Sequence, residues 1–179
     1  MATKTKIVLD ADVIIHFIKG GCFLQLFDIF PEYAYLILDV VYNEVTVGKT
    51  SKIQVDNVLR FRRDRVENIK FDPKGESRLE YARLIARLGR GESACMVYCR
   101  DNYDVLGSSN LKDIKTYCEK NRITYLTTLD FLYYAFIRKR MTVAECNQFM
   151  LDVNAKGSRL PIVDITTYVP SCLSRPEKS

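Results

Sequence analysis

The stretch Lys6-Ile-Val-Leu-Asp-Ala-Asp-Val-Ile-Ile15 decides the fold of this chain. Lys6 to Leu9 reads as a short buried strand. Asp10 follows at once, Asp12 two residues on, and Val13, Ile14, Ile15, Phe17 and Ile18 then make an apolar helix-like run. A buried strand that stops on an acid and turns into a helix sets that acid at the C-terminal edge of a parallel sheet. Open α/β sheets bind their ligands there. A carboxylate so close to apolar sequence is costly unless it binds a cation or accepts hydrogen bonds. Capping of the helix by Asp10 or Asp12 is the competing explanation. Function therefore depends on whether other acids reach the same edge.

Outward from this stretch, strand-like and helix-like segments alternate. Gly20-Gly21 breaks the first helix, and Cys22 to Phe30 repeats helical spacing until Pro31. Tyr33 to Leu38 reads as a second strand, running into Asp39, a helix N-cap candidate, with Glu44 near the end of that short helix. After a polar turn at Gly48 to Ser51, Gln54 to Arg65 reads as a helix. Val55, Val58 and Leu59 line one face and Arg60, Arg62, Arg63 and Arg65 the other. Val66 to Phe71 alternates like an edge strand. Glu76 to Leu88 reads as an amphipathic helix with Leu79, Ala82, Ile85 and Leu88 inward. Glu92 opens the next helix after Gly89-Arg-Gly91. The strand Tyr103 to Gly107 leads into Ser108-Ser-Asn110, and a helix runs from Leu111 to Asn121. Ile123 to Leu126 is a strand. Thr127-Thr128 caps an apolar helix, and Thr142 with Glu145 forms a capping box. This order predicts an α/β fold, three layers with a central parallel sheet between helices. Residues 1–165 are expected to form a single domain, with a basic insert at 48–75 and a partly disordered tail at 166–179.

The 179 residues suffice for one real core, and a net charge of +5 permits a polyanionic partner without requiring one. Six cysteines without C-x-x-C spacing, a lack of any leader-like segment and no apolar run of about 18 residues predict a reduced cytoplasmic protein with no membrane span. The one histidine, His16, argues against a zinc site of the His and Cys kind and reads as structural.

Four acids fall at equivalent places in the strand–helix units: Asp10, Glu44, Glu92 and Asp113, with Asp12, Ser108 and Asn110 beside them. Right-handed crossovers gather strand ends on one side of a parallel sheet. Oxygen ligands without His or Cys suit Mg²⁺ or Mn²⁺. Such an ion, held at Asp10, Glu92 and Asp113, would activate water against a phosphodiester. Four unrelated helix-capping acids remain the alternative.

These motifs resemble those of the PIN domain family, which includes VapC-type toxin ribonucleases. The resemblance rests on Ile7-Val-Leu-Asp10-Ala-Asp12, Val41-Tyr-Asn-Glu44-Val45, Gly91-Glu92-Ser-Ala94-Cys95 and Ser108-Ser-Asn110-Leu-Lys-Asp113-Ile114. It implies a Mg²⁺- or Mn²⁺-dependent endoribonuclease with Asp10, Glu44, Glu92 and Asp113 catalytic, and Asp12, Ser108 and Asn110 supporting. It also implies an antitoxin partner and a homodimer, for which Val13 to Phe30 is the candidate interface. Arg60, Arg62, Arg63 and Arg65 would guide RNA. One departure stands out: another register sets Ser108-Ser109 where the family has two acids. The alternative is thus a catalytically degenerate PIN-like module that binds RNA or protein. A response-regulator-like phosphoacceptor domain would also use early paired acids, but it calls for a lysine after a late strand, and none fits.

Overall fold

Five strands form one parallel sheet in the order β3-β2-β1-β4-β5, in a computed structural model that describes residues 5–172. The strands are β1 (Lys6–Leu9), β2 (Ala34–Leu38), β3 (Val66–Ile69), β4 (Val105–Gly107) and β5 (Tyr125–Leu126). The helices are α1 (Ala11–Lys19), α2 (Phe23–Ile29), α3 (Asp39–Val45), α4 (Lys49–Phe61) and α5 (Gly75–Leu84), followed by α6 (Arg90–Asn102), α7 (Leu111–Asn121), α8 (Thr128–Ile137) and α9 (Val143–Ala155). The expected α/β architecture with a central parallel sheet is the observed one. The candidate strand after Arg65 is β3, at the sheet edge, beside β2.

β1 sits at the centre because it is apolar on both faces. Ile7, Val8 and Leu9 are wholly buried, with Tyr35, Leu36, Ile37 and Leu38 of β2 alongside. The chain goes from β1 outward to β2 and β3, then returns to β4 on the other side of β1. Right-handed crossovers therefore set the earlier helices on one face and α5, α6 and α7 on the other. The pairs α1–α2, α2–α8 and α8–α9 pack together, as do α5–α6 and α6–α7. The strand order reverses between β1 and β4, and such a switch point opens a crevice beyond the strand ends.

An aromatic cluster anchors the first face. Phe17 meets Phe131 and Phe149 at centroid distances of 6.0 and 5.0 Å, and Phe30 meets Phe131 at 5.9 Å. Burying one such ring stabilises the fold by roughly 1.5–3 kcal/mol. Gly20 makes the approach of α9 feasible, since a Cβ there would lie 2.2 Å from the Phe149 ring. The apolar residues offered as a dimer interface are engaged here instead. Val13, Ile14, Phe17, Phe23, Leu26, Phe27, Ile29 and Phe30 are core, leaving Leu24 as the large exposed apolar residue of that segment.

Two helices differ from their sequence reading. α4 begins at Lys49, where a turn was expected, and ends at Phe61. Arg62 is its C-cap, and Arg63 and Arg65 lie in the turn before β3 rather than on a helix face. α5 ends at Leu84, and its inward face is rotated from the expected one. Leu79 is 61% exposed and Ala82 and Ile85 are exposed, while Tyr81, Leu84 and Leu88 are half-buried against the core. Glu76-Ser-Arg-Leu contains too few apolar residues to decide the face by periodicity, and packing of Tyr81 against Phe71, centroids 5.1 Å apart, decides it. Both predicted caps form: Thr142 with Glu145, and Thr127 with Asp130.

Cys22, Cys95, Cys99, Cys118 and Cys146 form no disulfide, and no described helix is long and apolar enough to cross a membrane. Beyond α9 the described chain is irregular but tied down. The Tyr168 hydroxyl and the Ser171 N–H both donate to the buried Asp130 carboxylate at 2.8 Å. The disorder expected for Ser174 to Ser179 concerns positions outside the described residues.

Candidate functional site

Asp10 is the first residue past β1, and its N–H still donates to Gly107 O at 2.8 Å, so the β1–β4 ladder carries it to the sheet edge. Its side chain does two things at once. Oδ1 accepts the Ala11 N–H at 2.7 Å, making Asp10 the N-cap of α1, and Oδ2 accepts the Ser108 hydroxyl at 3.1 Å. Capping and a role at the edge are therefore compatible, because each takes a different oxygen. Only 5% of Asp10 is exposed. Burial raises its pKa well above the usual carboxylate range, and the charges of Asp12 and Glu92 push the same way.

Asp12 lies one residue into α1. Its oxygens accept the Val13 N–H at 2.6 Å and the Ser109 N–H at 2.8 Å, which joins α1 to the loop after β4. Burial raises its pKa too, while these amides oppose the shift.

Glu92 enters from the opposite face, in the first turn of α6. It is 8% exposed, and its Oε1 is buried without a hydrogen-bond partner. Burial pushes its pKa up to about 7. The charges of Asp113, Asp12 and Glu44 add to this, and the Asn110 amide partly relieves it. Glu92 in turn is among the charges that act on Asp10.

Glu44 and Asp113 flank this centre. Glu44, at the exposed end of α3, accepts the Gly91 N–H at 2.9 Å. A Cβ on Gly91 would stand 2.5 Å from Glu44 Oε2, so the glycine leaves room for the Glu44 carboxylate against the start of α6. Asp113, in the first turn of α7, accepts the Asn110 amide at 2.6 Å.

Behind the acids runs a hydroxyl network that the sequence reading missed. His16 Nδ1 lies 2.8 Å from Thr128 Oγ1, Thr128 Oγ1 lies 2.7 Å from Ser109 Oγ, and the Thr128 N–H donates to Ser109 Oγ at 2.8 Å. Burial lowers the His16 pKa to about 4, so the ring is neutral near pH 7. His16 is structural, as expected. It braces Ser109, which holds Asp12. The Ser108-Ser109 pair was the one visible sign of this network.

The donors here are all oxygen, and Glu92 holds an unpartnered buried oxygen, which is the chemistry that a hard divalent cation takes. The spacing is looser than the chemistry. Among the described residues, no three acids, histidines or cysteines stand in ligand positions for one ion.

The predicted RNA-guiding arginines are mostly engaged within the chain. Arg62 pairs with Asp28 at 2.5 Å, Arg65 donates to Pro31 O at 2.5 Å, and Arg60 lies over the Phe61 ring at 5.2 Å. Arg63 is exposed.

No protein-family model matches the chain, and no curated protein matches it. Among solved structures it is similar in fold to a chain of VapBC2 from Rickettsia felis, determined bound to a DNA fragment from their promoter. That likeness has a TM-score of 0.49 and 15% identity, covering 69% of this chain and 98% of the other. The five-stranded parallel sheet, with Asp10 and Asp12 at its switch point, defines an open α/β fold.

Proposed function

We propose that this chain is a Mg²⁺- or Mn²⁺-dependent endoribonuclease, the toxin of a toxin–antitoxin pair. The observation that carries the reading is the buried acidic edge. Burial raises the pKa of Asp10, Asp12 and Glu92, the charge of Asp12 adds to the rise at both Asp10 and Glu92, and Glu92 Oε1 has no partner inside the chain. Like charges gathered out of water call for a cation.

Asp10 and Glu92 would hold the ion, with Asp113 and Glu44 closing in from α7 and α3. The ion supplies Lewis-acid chemistry, acidifying a water and offsetting charge on the phosphate. The chain's own residues do the positioning. Ser108 fixes the Asp10 carboxylate, Ser109 and the α1 backbone fix Asp12, and Asn110 restrains Asp113 beside Glu92. Burial and the neighbouring charges push the pKa of Glu92 up to about 7 in the metal-free chain, so ion binding there would be coupled to loss of its proton. The expected antitoxin would place a basic or aromatic side chain in this acidic crevice, and a homodimer would use a face other than the buried α1–α2 residues.

Calorimetric titration of Mn²⁺ tests the reading, with Asp10→Asn and Glu92→Gln beside the parent. Saturable binding lost in both variants, together with RNA cleavage lost in both, is the expected result. An Asp10→Ala protein that cleaves RNA as fast as the parent overturns it.

A second reading is favoured by the Ser108-Ser109-Asn110 sequence and by the looseness of the acid spacing: a PIN-like module that binds RNA or protein without cutting. It predicts binding without turnover, and metal-dependent cleavage by highly purified protein removes it.

A further inference from the structure

A groove of about 490 Å³ lies between α5, α6 and α7, next to the acidic edge but outside it. Its floor is apolar and aromatic, built from Leu84, Leu88, Met96 and the Tyr117 ring. The Tyr117 hydroxyl is buried and has no hydrogen-bond partner in the chain. Arg87, Lys112 and Lys120 stand along the rim, all three exposed. Among the described residues none of the three forms an ion pair, whereas Arg83 beside them is 3.6 Å from Glu80. The groove also reaches Asp113, whose charge is the first of those acting on Glu92.

We propose that this groove binds single-stranded RNA, taking an unstacked base on its floor and the flanking phosphates on Arg87, Lys112 and Lys120. The proposal rests on the nuclease reading for its substrate class and goes beyond it in naming the surface. Three features select this occupant. An apolar floor containing an aromatic ring accepts the face of any base, which a paired duplex does not offer. Unpartnered cations at the rim match a phosphate backbone rather than an apolar helix. The groove ends at Asp113, so a strand lying in it delivers its next phosphate to the acids around Glu92. An acidic peptide would use the rim but gain little from the floor.

The test is fluorescence anisotropy with a labelled single-stranded RNA dodecamer, full-length protein and EDTA throughout, so that binding is read without metal or cleavage. Arg87→Glu/Lys120→Glu should weaken binding tenfold or more and flatten the salt dependence by about 0.7 in log–log slope per lost phosphate contact. Tyr117→Leu, which keeps the floor apolar but removes its aromatic face, should weaken binding at least threefold. Arg159→Glu, exposed elsewhere on the surface, should change it less than twofold. Circular dichroism melts establish that each variant is folded. The proposal is overturned if the rim variants bind as the parent does. It is equally overturned if duplex RNA or poly-glutamate binds as tightly as the single strand, or if the parent binds no RNA. A parallel incubation of the parent with the same RNA and Mn²⁺ in place of EDTA separates the two readings. Rim-dependent binding without cleavage by the parent would remove the nuclease reading and leave the groove, and metal-dependent cleavage with rim-independent binding would do the reverse.

Discussion

The acidic edge and the arginine-rich stretch from Arg60 to Arg65 look alike on paper and differ in the folded chain. The arginines are crowded within six positions, yet Arg62 and Arg65 are tied to Asp28 and Pro31 of the segment around α2, and Arg60 rests on its neighbour's ring. They fasten the α4–β3 turn to the body. The acids are scattered over more than a hundred positions, yet the fold takes Asp10 and Glu92 out of water together, and Glu92 Oε1 is left without a partner. Density of charge along a sequence thus says little about function. What matters is how many charges the fold leaves without partners.

The largest effect separating the two regions should be cation linkage. At Mn²⁺ one hundred times above its dissociation constant, binding to the folded state alone stabilises it by about 2.7 kcal/mol. Thermal melts should show that gain in the parent and lose it in Asp10→Asn, while Arg62→Ala retains it. Equal stabilisation of Asp10→Asn would dissolve the distinction.

The next effect is in pH. The unfolded chain ionises Glu92 from about pH 4.3, whereas the folded chain holds its proton until near pH 7. Stability from this group is therefore full at low pH and falls as pH rises through that window. His16 works oppositely. Its folded pKa of about 4 means that stability falls as pH drops below about 6.5. The two overlap, so the comparison is between variants. In metal-free buffer the melting temperature of Glu92→Gln should rise relative to the parent as pH goes from 5 to 7.5. A constant offset would mean that Glu92 is not strained by its surroundings.

Smaller again is the structural cost in the arginine stretch. Arg62→Ala/Arg65→Ala removes two part-exposed ion pairs, to Asp28 and Asp64, and one hydrogen bond to a carbonyl, about 1–2 kcal/mol together. Urea melts should register that loss with RNA affinity changed less than twofold. A tenfold loss of affinity would return this stretch to the RNA surface.

Gly91→Ala sharpens the picture of the edge. The new Cβ must displace Glu44, an exposed and flexible side chain, so stability should fall by no more than about 1 kcal/mol. Metal-dependent cleavage should fall at least tenfold if Glu44 matters where it stands. Unchanged cleavage would remove Glu44 from the catalytic set.

Several elements were legible at once. The strand–acid–helix signature at Lys6 to Ile15, the cap at Thr127, the capping box at Thr142, and the edge strand after Arg65 all rest on local rules of period and capping. The burial of Asp10 at the end of its strand was legible too, from the apolar run on either side of it. The α5 face was not, because its few apolar residues fit two registers and contact with Phe71 chooses between them. The dimer interface assigned to α1 and α2 failed for a related reason. An apolar run shows that a face is buried and cannot show whether its cover is another chain or α8 and α9.

By itself, then, the sequence determined the α/β class, the parallel sheet and the acids at its strand ends, since these follow from periodicity and from the handedness of crossovers. Only the tertiary structure decided which charges have partners. The bond from Ser108 to Asp10 spans 98 positions and the one from Gly91 to Glu44 spans 47. The groove gathers α5, α6 and α7 around one apolar floor. No local pattern encodes such meetings. They arise because the sheet's order reverses beside β1, bringing the start of α1 and the loop after β4 to one edge, where α6 adds Glu92.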